Sequence, residues 1–515
     1  MLSFRSAQTK NAAIQNSKEQ LQRDWLRNYE SLKEENAYWI DAIEGEIPAA
    51  LHGTLLRNGP ALYDINGQRI MHPFDADGMV SSFAIANGRA FFRNRYVRTE
   101  GFVAEQQAGK VLYRGAFGTQ KPGGWFNNVF DLRLKNLANT SVVYWGNRLL
   151  ALWEAGEPHR LEPNTLETIG LDPLDGILCP GNEFSAHPRI DFHDGTPRMV
   201  TFGVKTGFTS QSVVTIYEFD EQWHVIHRHA YGLPGVMFMH DMAITPNHCI
   251  IVQNPIDYNP VPYLLGIRAA AQCLVARPDR PSLMVVIPRT GEGPMYTFET
   301  HSTFIYHHAN AFEQGDEVVL DSLGYDSLPL NGSGPDFRDT DVMDFPAARL
   351  WRTRLNLKTG QASTQLLESR NCELPSYHPA REGQPYRYLY LSVAAQAQQD
   401  SPLQAILKLD LHTGSQQIWS AAPRGFVSEA VFVPRPGSEQ LPPLDETKLD
   451  ESTSAEDDGW LLVLVYDAAR HRSSLAILDA RNLVQGPVAW LHLRHHIPPT
   501  FHGTFVPEWF GPASA

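Results

Sequence analysis

Apolar residues in this chain alternate with polar ones in short runs, the period-two pattern of half-buried strands. RLLALW, SVVTIYEF, YRYLYLSV, AILKLDL and WLLVLVY are such runs, rich in β-branched and aromatic side chains. A strand, a turn and a second strand recur around seven points: FAIANG at 83–88, LEPNT at 161–165, FDEQW at 219–223, VIPRTG at 286–291, LNLKTG at 355–360, LDLHTG at 409–414 and LDARN at 478–482. The Asp, Asn, Thr and Gly that close these runs suit hairpin turns. Successive points lie 54 to 78 residues apart. That is wide for a repeat of about 40 to 50 residues, but it accommodates four-stranded blades carrying insertions. The pattern predicts an all-β fold, a seven-bladed propeller; a β-sandwich would give the same strand signal.

Three segments depart from the alternation. Residues 18–43 (KEQLQRDWLRNYESLKEENAYWIDAI) read as an amphipathic helix packed outside the sheets. Residues 258–274 (YNPVPYLLGIRAAAQCL) carry Val261, Tyr263, Leu264, Leu265 and Ile267 close to a single Arg268. They read either as a buried helix capping the propeller or as an apolar patch that dips into one membrane leaflet. Residues 436–458 are Pro-rich and acidic with little to bury, and read as an exposed insertion between strands. The polar residues 1–17 read as a frayed tail, with a targeting segment as the alternative.

Composition narrows the function classes. A 515-residue chain would ordinarily divide into several domains, but propellers run long as one unit, so 1–515 is read as a single domain. A net charge of −14 disfavours nucleic acid as a partner. Cys179, Cys249, Cys273 and Cys372 show no metal-binding spacing and no secretory signal precedes them, so reduced thiols and a cytoplasmic setting are expected. No apolar run reaches the length of about 18 to 20 residues that spans a bilayer. No obligate protein partner is evident.

The candidate chemistry lies in histidines within distinctive peptides: His187 in FSAHPRID, His240 in MFMHDMAIT, His307 in YHHANAFE and His502 in FHGTFVPEW. Glu154 in LWEAGEP, Glu373 in NCELPSYHP and Glu429 in VSEAVFVPRP are similarly placed. Ligands so far apart in sequence converge only in a fold that returns repeatedly to one axis. By residue type alone His227, His229, His495 and His496 are equally eligible, since the chain has 20 histidines.

The surrounding peptides choose among them. LHGTLLRNGPALYD, HPFDADGMVSSF, RNRYVRTEGFVAEQQAGK, YRGAFGT, LKNLANTSVVYWGNRLLALWE, FSAHPRID, YHHANAFE, YRYLY, SEAVFVPRPG and FHGTFVP, in this order from residue 51 to 507, resemble the carotenoid cleavage oxygenase family, and most closely its apocarotenoid-cleaving branch. The resemblance implies a seven-bladed propeller with a helical and loop dome over the metal-bearing face. It implies an Fe(II) ion on the axis, held by His187, His240, His307 and His502. His307 is preferred to His308 because it occupies the first position of the HxxN motif that Asn310 completes. The resemblance further implies that Glu154, Glu373 and Glu429 orient His240, His307 and His502 respectively, and that His187 lacks such a carboxylate. Phe74, Thr140, Trp153, Tyr306 and Tyr325 are expected in or near a substrate tunnel, with Thr140 close to the metal.

The reaction implied is cleavage of the 15,15′ double bond of β-apocarotenals or apocarotenols by O₂, giving retinal and a second aldehyde. A lipophilic substrate would make peripheral membrane contact useful. The alternatives are a sibling oxygenase that cleaves intact carotenoids or another double bond, and a metal-free propeller serving as an interaction scaffold. The departures from the family pattern are few. Ala76 stands in FDADGM where glycine is usual, Leu374 follows Glu373 where phenylalanine is usual, and Tyr306 stands where phenylalanine is common. None removes a ligand.

Overall fold

The computed structural model describes residues 17–206, 211–330, 336–397, 400, 402–441 and 456–513. Seven antiparallel sheets stand around one axis, and in six of them the first strand of the four-stranded blade is innermost. Blade 1 combines Gly53–Leu62, Asp77–Ala86 and Arg89–Tyr96 with the innermost strand Gly503–Val506 from the C-terminus. Blades 2 to 7 run in sequence order and begin on Ser141–Trp145, Arg189–Asp191, Ala243–Ile244, Phe304–Gln314, Cys372–Ser376 and Gly425–Pro434. Pairing of Thr54–Arg57 with Gly503–Val506 joins the two ends of the chain within blade 1 and closes the ring. Each of the seven turn points read from the sequence is the hairpin between the third and fourth strands of one blade.

Because successive side chains of a strand point to opposite faces, each blade serves two neighbours. Leu55 packs towards blade 7 and Leu56 towards blade 2. Ile251 packs towards blade 3 and Ile250 towards blade 5. Among the described residues the apolar interior is therefore a set of seven clusters, one at every blade junction, with an eighth beneath the N-terminal segment around Trp25, Tyr63 and Phe337 and a small ninth around Ile256, Phe304 and Tyr306.

Three sequence expectations are corrected. The helix expected over 18–43 covers only residues 17–28. Beyond it, Ala37–Trp39 adds to the outer edge of blade 1 and Ala42–Gly45 to that of blade 7. Those edges present unpaired backbone groups, and pairing them overrides the weak helical preference of the segment. Residues 258–274 form neither a long helix nor a wholly apolar surface. A single turn, Val261–Leu264, and a 3₁₀ turn, Ala271–Cys273, lie between Ile256–Tyr258 and Leu274–Ala276, which pair with each other. The face above the centre is thus mostly loops.

The acidic insertion is anchored at its C-terminal end. Glu456 is 3% exposed, pairs with Arg381 and accepts the Arg387 and Tyr388 N–H groups. Asp457 pairs with Lys408. Residues 442–455 lie outside the described residues, as do residues 1–16 of the expected tail. All four cysteines are free thiols. Among the described residues no helix is long and apolar enough to cross a membrane.

Candidate metal centre and cavity

The four histidines reach the axis on four different blades. His187 precedes the innermost strand of blade 3, His240 that of blade 4 and His502 that of blade 1, while His307 lies within that of blade 5. One ring nitrogen from each falls within 4.8 Å of the others. His227, His229, His495 and His496 take no part.

Backbone irregularity aims several of these groups. Sheet register shifts between Ile305 and Asn310, between Glu373 and Ser376, and between Val427 and Ala430. Such bulges re-aim side chains that a regular strand would turn into a blade junction. They fall at His307, Glu373 and Glu429. The bulge at Glu373 leaves Leu374 with φ of 56°, and its N–H bonds to the Glu373 carboxylate.

Three carboxylates stand behind three of the rings. Nδ1 of His240 lies 3.2 Å from Glu154, that of His307 2.6 Å from Glu373 and that of His502 2.9 Å from Glu429. Among the described residues His187 faces no carboxylate; its Nε2 is 2.9 Å from Nε2 of His240. Burial pushes each glutamate up, but the facing imidazoles, with Arg57 in the case of Glu429, bring all three below the usual carboxylate range. Burial and the neighbouring rings hold His187 well below the usual imidazole value. At His307 burial acts in the same direction, but Glu373 outweighs it and raises the ring.

With Nδ1–H donated outward, Nε2 of three rings turns a lone pair to the axis, and Nε2 of His307 has no hydrogen-bond partner. Converging lone pairs repel unless a cation lies between them. Two imidazole nitrogens about 2.1 Å from one ion and at right angles stand about 3 Å apart, close to the His187–His240 separation. The donor set therefore fits a divalent transition metal. It lacks the thiolates of most structural zinc sites.

A cavity of about 340 Å³ opens beside the centre. Phe74, Thr140, Trp153, Tyr306 and Tyr325 all line it, together with Glu154, Glu373, His240, His307 and His502. Phe74 meets Phe117 and Phe501 edge to face. Tyr325 does more than form a wall: its hydroxyl donates to Glu373 at 2.7 Å, bracing the partner of His307.

Sequence reasoning missed Arg57, which is 1% exposed and donates to Glu429, to Thr500 and to the Phe501 carbonyl. It lies in LRNGP, one of the distinctive peptides, so a signal was present. Asn310, singled out by its motif, donates to the Arg381 and Gln384 carbonyls and pins the loop that ends in blade 6. In HPFDADGM, Asp75 accepts three backbone N–H groups from Phe117, Gly118 and Thr119. A Cβ at Gly78 would stand 2.2 Å from the Ala138 carbonyl oxygen, so this motif glycine answers to close backbone packing.

The model of the retinal pigment epithelial membrane protein family matches residues 29–507. The chain belongs to that family. Among its relatives is apocarotenoid-15,15′-oxygenase of Synechocystis sp., 46% identical over 488 residues that cover 94% of this chain and 96% of the relative. Carotenoid 9,10(9′,10′)-cleavage dioxygenase 1 of Pisum sativum is 28% identical over 94% of this chain and 90% of its own length. A crystal structure of the cobalt-substituted Synechocystis oxygenase superposes with a TM-score of 0.88, covering 94% of this chain and 98% of that one. Both of these relatives are named for carotenoid or apocarotenoid oxygenation, and the chain is a carotenoid or apocarotenoid cleavage dioxygenase. The family is metal-dependent, and the seven-bladed propeller is its fold.

The membrane patch expected at 261–267 is rearranged. Tyr263 does not belong to it: the ring is 6% exposed and lies against the Arg114 guanidinium. Leu264 is half-buried. Val261, Leu265 and Ile267 are exposed, and beside them are Trp125, Phe126 and Phe130, which the sequence reading did not select. The two loops pack together, with the Phe130 N–H on the Leu264 carbonyl.

Proposed function

We propose that the protein is an Fe(II)-dependent dioxygenase that cleaves the 15,15′ double bond of β-apocarotenals or apocarotenols, giving retinal and a second aldehyde. The convergence of four imidazole nitrogens beside a cavity lined by aromatic and aliphatic side chains carries this reading. His187, His240, His307 and His502 would hold the ion. When bound, the ion would supply the redox chemistry that lets dioxygen react with an alkene. The overall change is balanced without an external reductant: one C=C bond and one O=O bond are lost and two C=O bonds form.

The protein's own residues would position and protect. Glu154, Glu373 and Glu429 fix the tautomer and aim of their rings and offset the charge of a dication. Phe74, Trp153 and Tyr306 offer apolar faces to a rigid polyene, which selects the double bond that lies beside the centre by where its ends come to rest. Thr140, buried and bonded through its carbonyl to the His502 N–H, crowds the approach beside that ligand. The same walls exclude water from the reacting centre.

The test is metal dependence. Iron-loaded protein should bleach a β-apocarotenal under air, and neither apoprotein nor anaerobic holoprotein should do so. His240→Ala should lose bound iron and activity together. Bleaching by iron-free protein would defeat the reading.

Peripheral membrane contact has its own support. Trp125, Phe126, Phe130, Val261, Leu265 and Ile267 form an exposed apolar surface on two packed loops, with Arg133 and Arg268 among them. Phe126→Glu with Ile267→Glu should weaken sedimentation with liposomes while leaving turnover of detergent-dispersed substrate near wild type. Undiminished liposome binding would rule this surface out.

A further inference from the structure

Leaving a buried polar atom without a partner is unfavourable, so each one calls for an explanation. Four such atoms belong to described residues that line the cavity. Three adjoin the metal centre: Nε2 of His307, Oε2 of Glu154 and the Tyr306 hydroxyl. The fourth is Oδ1 of Asn28, in a residue 6% exposed at the end of the N-terminal helix.

The surroundings of Asn28 make the lone amide conspicuous. Trp25 and Tyr29 of the same segment line the cavity with it, as do Phe345 and Tyr466. The Trp25 ring lies 4.9 Å from that of Tyr29 and 5.1 Å from that of Phe345. These four rings beside Asn28 suit an apolar end group. The helix that carries Asn28 is fixed rather than loose. Asp24 receives two hydrogen bonds from Arg424, and the Gln22 side chain donates to the Thr340 carbonyl and accepts the Val342 N–H. Beyond the helix, Nε2 of His496 bonds the Glu30 carbonyl. The backbone that carries the amide is thus held in place.

We infer that Asn28 is a specificity-determining residue that recognises a hydroxyl group at one end of the polyene. A hydroxyl both donates and accepts, so it satisfies either orientation of the amide. An aldehyde can only accept, and a plain hydrocarbon ring does neither. Asn139, Asn371, Ser428, Ser473 and Thr500 also line the cavity but are hydrogen-bonded within the protein, so the one unpaired oxygen away from the centre favours the hydroxylated substrate mainly by penalising an analogue that leaves Oδ1 of Asn28 without a donor. The inference rests on the reading of the cavity as the seat of an apocarotenoid. The hydroxyl has two possible positions, on the end ring or at the chain terminus as an alcohol.

The test measures affinity, so it does not depend on turnover. Quenching of tryptophan fluorescence in the full-length holoenzyme gives Kd for two pairs of ligands: a ring-hydroxylated and a plain β-apocarotenal, and a β-apocarotenol and its aldehyde. One pair should show a preference of about 10-fold or more for the hydroxylated member, and the pair that does so locates the group. Asn28→Leu should remove that preference while binding of the plain ligand stays the same or tightens, and Asn28→Ser should retain part of it. Asn28→Ala serves if the leucine variant folds poorly. No preference in either wild-type pair, or one that survives both Asn28→Leu and Asn28→Ala, overturns the inference. Failure of all four ligands to bind would overturn the apocarotenoid reading and this inference with it. Binding without cleavage would fall on the proposed reaction alone.

Discussion

At the scale of residues, the site depends on how carboxylates behind the rings decide what the rings can do. Glu373 accepts from His307, from the Tyr325 hydroxyl and from the Leu374 N–H. Glu373→Gln should therefore lower metal affinity or turnover by roughly 10- to 100-fold. Tyr325→Phe, which removes one bond to the same carboxylate and keeps the ring, should cost less. Iron per chain and the rate of polyene loss, measured on both variants, check the order; a larger loss for Tyr325→Phe would contradict it. Residue identities were legible in the sequence where a distinctive peptide surrounded them, and the structure brings the four histidines and three glutamates of those peptides together. Partners on other blades were not legible. Arg57 reaches Glu429 across 372 residues of sequence, and nothing local to either predicts the pair.

Among the elements, strand alternation accounts for more than strand positions. Adjacent side chains such as Ile250 and Ile251 serve different blade junctions, so the period-two pattern describes two interfaces at once. The hairpins were legible because their turn residues are chemically marked. The end of the helix at residue 28 was not, because the short strands beyond it pair with blade edges distant in sequence.

Polar groups pin the junctions as well. Glu313 of blade 5 accepts from Thr245, Asn247 and His248 on the blade 4 hairpin. Burial opposes its ionisation, but these partners bring the carboxyl down to about 2. An unfolded glutamate titrates near 4.5, so the stabilisation is complete above that pH and disappears as pH falls through about 2. The loss of Tm caused by Glu313→Gln should be greatest near neutrality and shrink below about pH 4. A loss of Tm that does not change over this range would contradict the assignment.

For the whole molecule, closure of the ring and assembly of the centre are one event. His502 immediately precedes the strand Gly503–Val506 that completes blade 1, and Glu429, which faces His502, lies on the innermost strand of blade 7. Truncation after residue 500 removes a ligand and opens the ring. It should abolish metal binding and replace one cooperative unfolding transition with loss of folded protein, read by near-ultraviolet circular dichroism. A folded, metal-binding truncated chain would contradict that coupling.

The same architecture explains how sites scattered over more than 300 residues converge. Each blade delivers its innermost strand to the axis, so peptides far apart in sequence become neighbours there. The measurement that bears most directly on the account is analysis of the products formed when iron-loaded protein meets a β-apocarotenal under air. Retinal with the complementary short dialdehyde is the expected result. Aldehydes of other lengths, or no cleavage with iron bound, would contradict it.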